Sequence, residues 1–106
     1  MNAFILAAAL AAATSTPVAE SPEECYYVSG MFAQARVYVL TGVGHKAEAI
    51  LSQVYLPETY AKWGEFIIRQ ARVPSKSKPL DTAKLLYQHC TSHAGNVDGF
   101  FKVTAS

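Results

Sequence analysis

Ser21-Pro22-Glu23-Glu24-Cys25-Tyr26-Tyr27-Val28 opens the stretch that decides the fold. Ser21 has the side chain of a helix N-cap, Pro22 fits a first turn where its missing N–H is no loss, and Glu24, three residues after Ser21, completes a capping box. Beyond it Cys25, Val28, Phe32, Ala35 and Val39 recur at alternating spacings of three and four, which sets them on one face of a helix. Gly42 and Gly44, on either side of Val43, are its stop, because glycine takes the left-handed conformation that ends helices at little cost. The folded part of the chain therefore starts with a long helix carrying a cysteine on its apolar stripe.

Working towards the C-terminus, residues 45–56 hold Ala47, Ile50, Leu51 and Val54 at helical spacing, with Lys46 and Glu48 free to face water. Pro57 interrupts that pattern, and residues 58–72 resume it with Tyr60, Trp63, Ile67 and Ala71 on one face. Gly64 is the weak point of this third helix or a site of close packing. Residues 73–79 are bounded by Pro74 and Pro79 and have no apolar side chain after Val73, so they form a loop. A fourth helix starts around Pro79 with Asp81 as a cap, carries Ala83, Leu86, Tyr87 and Cys90 as its stripe, and ends near Thr91. The remaining residues are Gly-rich and polar apart from Phe100, Phe101 and Val103. They form a tail that is either frayed or docked by the two phenylalanines.

Towards the N-terminus, an apolar run over residues 3–13 precedes Thr14-Ser15-Thr16-Pro17-Val18-Ala19. It is shorter than the roughly 20 residues needed to cross a bilayer and reads as the core of a secretory signal. Ala13 and Ser15 suit cleavage after Ser15; the alternatives are a cut nearer Ala19, an uncleaved signal kept as a weak anchor, and an ordinary buried N-terminal helix. No Lys or Arg precedes the run, which departs from the usual signal pattern. The chain divides into a signal and polar lead-in over 1–19, a helical domain over 20–92 and a tail over 93–106. Two cysteines in an exported chain of this size are most simply one bridge, Cys25 to Cys90. Closing that loop removes about 4 kcal/mol of unfolded-state freedom in the chain-entropy model. The expected fold is an all-α bundle of about four helices closed by one disulfide after a cleaved signal peptide.

The charge balance disfavours nucleic acid, since 106 residues with a formal net charge of +1 lack a basic excess. His89 and His93 are four apart, as metal-binding helix pairs are, but the intervening residues lack the glutamate of a zinc-protease helix, and they read as surface histidines. No serine sits in a glycine-flanked elbow and no carboxylate pair stands out, so neither an enzyme nor a cofactor is expected. Arg69, Arg72, Lys76 and Lys78 form a cationic run with two readings: a solvated helix end and loop, or a patch that meets an anionic surface. Six tyrosines are many for a domain this small. Tyr26 and Tyr27 are adjacent, so both cannot point inward, and Tyr38 lies off the first stripe. These three tyrosines, with Glu23 and Glu24, are the candidate protein-binding residues, beside the reading of them as amphipathic rim residues.

The signal segment, the cysteine opening the first helix, Ala35-Arg36, the glycine break and the ending Tyr87-Gln88-His89-Cys90 together resemble the small single-disulfide helical proteins that bacteria and their phages export to the periplasm. Two layouts within that resemblance carry implications. Similarity to the Spackle type, which binds and blocks a phage lysozyme, implies an inhibitory role. Similarity to the HdeA type implies an acid-activated chaperone, although acidic residues are few and the tail lacks a lysine-rich composition. The expected function is thus a periplasmic or secreted, non-enzymatic binding or inhibitory protein acting on another exported or envelope protein. The alternatives are a periplasmic stress or acid chaperone and an envelope-surface protein with weak membrane contact. Neither the partner nor the oligomeric state is legible.

Overall fold

The computed structural model describes residues 16–105, so the apolar run over 3–13 lies outside the described residues. Five α-helices follow in order: α1 (Pro22–Leu40), α2 (Ala47–Val54) after a 3-10 turn at Gly44–Lys46, α3 (Pro57–Ala71), α4 (Pro79–Ser92) and α5 (Asp98–Ala105). Among the described residues none of these helices is long and apolar enough to cross a membrane.

Helix α1 starts as its sequence dictates. The Ser21 hydroxyl accepts the Glu24 N–H at 3.1 Å, and Glu24 Oε1 accepts a backbone N–H at 3.1 Å, from Glu20, one residue before the cap. Its end is a Schellman motif: Gly42 at φ +84°, with the Val43 N–H reaching the Tyr38 carbonyl at 2.9 Å and the Gly42 N–H the Val39 carbonyl at 3.2 Å. Between these ends the buried residues Cys25, Val28, Met31, Phe32, Ala33 and Ala35 lie on more than one face. Helix α1 is the axis on which the other helices pack, because it buries residues on more than one of its faces.

Four contacts set the directions of the helices. Cys25, near the start of α1, bridges Cys90, near the end of α4, with 5.8 Å between Cα atoms, so these two helices run antiparallel. Glu24 meets Trp63 and Lys62 in the first half of α3, while Arg36, late in α1, meets the Ala71 carbonyl at the end of α3. Helices α1 and α3 therefore run the same way. The core between them centres on the fully buried Trp63, Met31, Leu51, Ile67, Leu86 and Val28. Gly64 proves to be a site of close packing, because the Tyr60 ring lies where its Cβ would be.

The tail adds a helix to the four expected. Asn96 Oδ1 accepts the Asp98 N–H at 3.1 Å and opens α5, whose Phe101 ring sits 5.6 Å from Phe32 and 5.5 Å from Phe66. Val97, Phe100 and Phe101 are all buried. Apolar docking rather than local propensity makes this short helix, since an isolated helix of such length would not persist in water.

Arg36 is 5% exposed, a level at which a charge requires dedicated partners. Its Nη1 donates to the carbonyls of Ala71 at 2.7 Å and Val73 at 3.1 Å, and its Nη2 to that of Ser75 at 3.0 Å. These oxygens belong to the C-terminal end of α3 and the strand of loop beyond it, where the helix dipole is negative. The guanidinium thus both satisfies orphan carbonyls and fixes the path of the loop to α4. Replacing Arg36 by Met keeps the apolar stem but strands these carbonyls. The expected cost is about 3 kcal/mol, with a melting temperature lower by more than about 10 °C. Arg36→Lys, which offers one nitrogen instead of a fork, should fall between. Thermal unfolding of the oxidised protein followed by circular dichroism measures this, and a Met variant melting within about 3 °C of the parent would refute it.

Candidate functional site

The antiparallel pairing of α1 and α4 leaves an open groove of about 770 Å³ between their outward faces. Helix α1 contributes Tyr26, Gly30 and Ala33 at spacings of four and three, and α4 contributes Leu80, Lys84 and Tyr87 at the same spacings, with Ala83 beside them. Glycine and alanine make the floor and aromatic rings the walls. Tyr26 packs edge-on against Tyr87, with ring centroids 6.4 Å apart, and against Tyr27 at 6.1 Å. Tyr55, at the end of α2, closes one side: its hydroxyl lies 3.2 Å from where a Gly30 Cβ would stand, so a larger residue at 30 would press on it. Burial, then the neighbouring Tyr26 and Tyr38, push the Tyr55 phenol above its ordinary pKa, and it stays a neutral hydroxyl.

The groove is apolar at its rim as well as its floor. Leu80 is 70% exposed, Tyr26 67% and Tyr27 41%, an unusual concentration of uncovered apolar side chains on one small face. Polar atoms are few. The Ser29 hydroxyl is already given to the Cys25 carbonyl at 2.8 Å, whereas Gln34 Oε1 is shielded from solvent and accepts no hydrogen bond from the described residues.

At the Tyr27 end the groove adjoins a second cleft of about 280 Å³, whose lining holds the carboxylates of Glu20, Glu23, Glu24 and Glu58 against the single amine of Lys62. Tyr27 is the wall common to both. Its hydroxyl donates to Glu23 Oε1 at 3.2 Å, and that bond to a carboxylate holds the phenol above its ordinary range. Glu24 is engaged within the fold: Oε2 accepts the Trp63 indole N–H at 2.6 Å and pairs with Lys62 Nζ at 2.6 Å. Burial would raise its pKa, but the hydrogen bonds from Lys62, Trp63 and the Glu20 backbone outweigh it and hold the carboxyl below the usual value.

The residues singled out in sequence are thus divided. Tyr26, Tyr27, Glu23 and Glu24 come together around the groove and cleft. Tyr38 stands apart, half-buried and packed against the core. Arg69, Arg72, Lys76 and Lys78 are all exposed at the far end of α3 and its loop. Leu80, Gln34 and Tyr55 were not singled out. Tyr87, read as a core position, faces the groove instead, since Leu86 and Cys90 take the inward side of α4. The signal that could have found Leu80 and Tyr87 is the second stripe on α4, Leu80, Lys84 and Tyr87, offset from the buried one.

His89 and His93 stack with centroids 3.9 Å apart and planes 11° from parallel. His93 Nδ1 lies 2.8 Å from the His89 carbonyl, and the His89 ring lies 5.6 Å from that of Phe100 on α5. Among the described residues no group of three or more His, Cys, Asp or Glu could hold a metal ion. Burial, then the charge of His93, lower the His89 pKa. A histidine whose folded pKa is depressed resists protonation in the folded state, so stability should fall as the pH drops below about 6.5, its unfolded value. For Glu24, also depressed, the stabilisation is present above the ordinary carboxylate pKa and is lost as the pH falls through the lower folded value. Melting temperatures measured from pH 7 to pH 5 should decline, and His89→Gln should flatten the decline; an unchanged slope in that variant would remove His89 as its cause. Set against known proteins, the chain matches no family model, no curated protein and no solved structure.

Proposed function

We propose that this is an exported, non-enzymatic binding protein that inhibits another exported or envelope protein by seating one of its segments in the groove between α1 and α4. The observation that carries the reading is the groove itself: small residues along a rigid floor, tyrosines as walls and Leu80 uncovered at the rim. Tyrosine gives large contact area with only two side-chain torsions to freeze, which is why it anchors protein interfaces. The walls are held before any partner arrives, because the disulfide fixes Cys25 beside Tyr26 to Cys90 three residues from Tyr87. Preorganisation of this kind lowers the entropic cost of association.

The chemistry of the surface describes the segment it suits. Apolar side chains would lie over Gly30, Ala33 and Ala83, and a lysine or arginine next to the apolar run would enter the acidic cleft past Tyr27. Binding rather than catalysis suits this lining, which offers phenols, amides and one amine, its serine hydroxyl being bonded to a carbonyl. Export is supported by the oxidised cysteine pair. An acid-released chaperone is the second reading, favoured by the two contacts that acid weakens, at Glu24 and His89.

Affinity capture from periplasmic extract at neutral pH tests the proposal, using the parent, Tyr26→Ala, Leu80→Asp and Lys76→Ala/Lys78→Ala. A single stoichiometric partner should be retained by the parent and the lysine variant. The two groove variants should bind it about 30-fold more weakly, as a hot spot worth about 2 kcal/mol would, with melting temperatures close to the parent's. Loss of binding only in the lysine variant would move the function to the basic end and an anionic surface. Suppression of client aggregation confined to about pH 4 and below, without a neutral partner, would favour the chaperone reading.

A further inference from the structure

Thr16–Glu20, which composition alone assigns to a polar lead-in, is built into the fold. Ala19 is 4% exposed and belongs to the core. Its N–H donates to the Gly95 carbonyl at 2.9 Å, and Val18 makes an antiparallel bridge with Asn96. Gly95 has a φ of +87°, and a Cβ there would stand 1.9 Å from the Ala19 carbonyl oxygen, so the turn between α4 and α5 closes only with glycine beneath this segment. At its start the Thr16 hydroxyl donates to Asp98 Oδ1 at 3.1 Å, on the first turn of α5. Removal of residues up to Ala19 would uncover core and break this clip.

From these contacts we infer that export processing cuts the Ser15–Thr16 bond and that the α-ammonium it creates on Thr16 pairs with the Asp98 carboxylate. The inference rests on the export reading and not on the groove. Hydrolysis of that peptide bond adds one water, leaving a carboxylate on Ser15 and an amine on Thr16. Ser15 and Ala13 supply the small residues that the processing peptidase needs at the first and third positions before the cut. A cut after Ala19 would put Pro17 at the third position and destroy the clip. A cut after Ala13 also meets the small-residue requirement, but it leaves Thr14-Ser15 ahead of Thr16 and puts the new charge two residues before Thr16 in the sequence. Only the bond after Ser15 places the ammonium on the residue whose hydroxyl already touches that carboxylate, joining the new terminus to α5.

The full chain, produced in a bacterial host that exports it, gives the test through intact mass and N-terminal sequencing of the periplasmic protein, with its thiol content measured in parallel. The expected product begins at Thr16 with both cysteines oxidised. NMR titration of its α-amine should give a value above the ordinary range of about 7.7–8.0, returning towards that range in Asp98→Asn. An exported, oxidised chain that begins at Met1, Thr14 or Glu20 would overturn the inference while leaving export standing. A reduced chain confined to the cytoplasm would overturn the export reading and the inference with it. A Thr16 terminus whose amine titrates alike in parent and Asp98→Asn would overturn the ion pair.

Discussion

The Cys25–Cys90 bridge is the constraint on which the other features depend, because it fixes which helices are neighbours and in which direction they run. A chain of 106 residues has little core to spare for specifying one arrangement, and closing a long loop covalently removes much of the competition from open conformations. With α4 held antiparallel to α1, the outward faces of the two helices are forced side by side, and the groove is a consequence of that pairing rather than a separate construction. At the other end of α1 a second clamp of a different kind does the equivalent work. Arg36 gathers the carbonyls of Ala71, Val73 and Ser75, so α3 and the loop leading to α4 are tied to the same helix. One clamp is covalent and needs an oxidising compartment; the other is charge-assisted hydrogen bonding that works in any compartment.

The parallel course of α1 and α3 also organises the charges. Both helices put their N-termini, the positive ends of their dipoles, at the end where Glu20, Glu23, Glu24 and Glu58 collect. Both put their C-termini at the end where Arg69, Arg72, Lys76 and Lys78 lie. A molecule of nearly neutral net charge is thereby polarised along its length. The helix dipoles account for this distribution without reference to any partner, and Glu24 in particular is occupied by Lys62, Trp63 and the α1 cap. The cleft keeps a surplus of carboxylates over its single amine, and it lies next to the apolar groove.

How much of this is legible in the sequence follows from whether the responsible forces are local. Helix α1 is legible because its cap, its stripe and its glycine stop are all written within a few residues of where they act. The bridge is legible because both cysteines sit on apolar stripes. Helix α5 is not, because Gly99 sits in its first turn and its formation depends on Phe101 finding Phe32 and Phe66, residues far away in the chain. The burial of Arg36 is not legible either, because the carbonyls that satisfy it come from the end of α3 and the loop beyond it. The tyrosines divide in the same way: that Tyr26 and Tyr27 could not both face inward follows from helical geometry alone, but that Tyr38 would be covered and Tyr87 uncovered depends on which helix packs where. The groove was therefore half visible, from α1 only, since its other wall is supplied by a helix whose position the disulfide decides.

On the binding function proposed above, the placement of the groove would separate the demands of binding from those of stability. Its walls are built from the side of α1 and α4 that the core does not use, so Tyr26 and Leu80 remain exposed while Val28 and Leu86, two residues and six residues away, are fully buried. Its floor is different, because it is made of the small residues Gly30, Ala33 and Ala83, of which Ala33 and Ala83 are buried. Enlarging a floor residue would fill the groove and press on Tyr55 or on the opposite helix, coupling loss of the binding surface to strain in the fold. Wall residues are thus free to vary with a partner, whereas floor residues are held by packing whatever the partner is. If the groove binds as proposed, its specificity would reside in a handful of side chains on two helices, and the bridge that holds the pair together would allow those side chains to change without unfolding it.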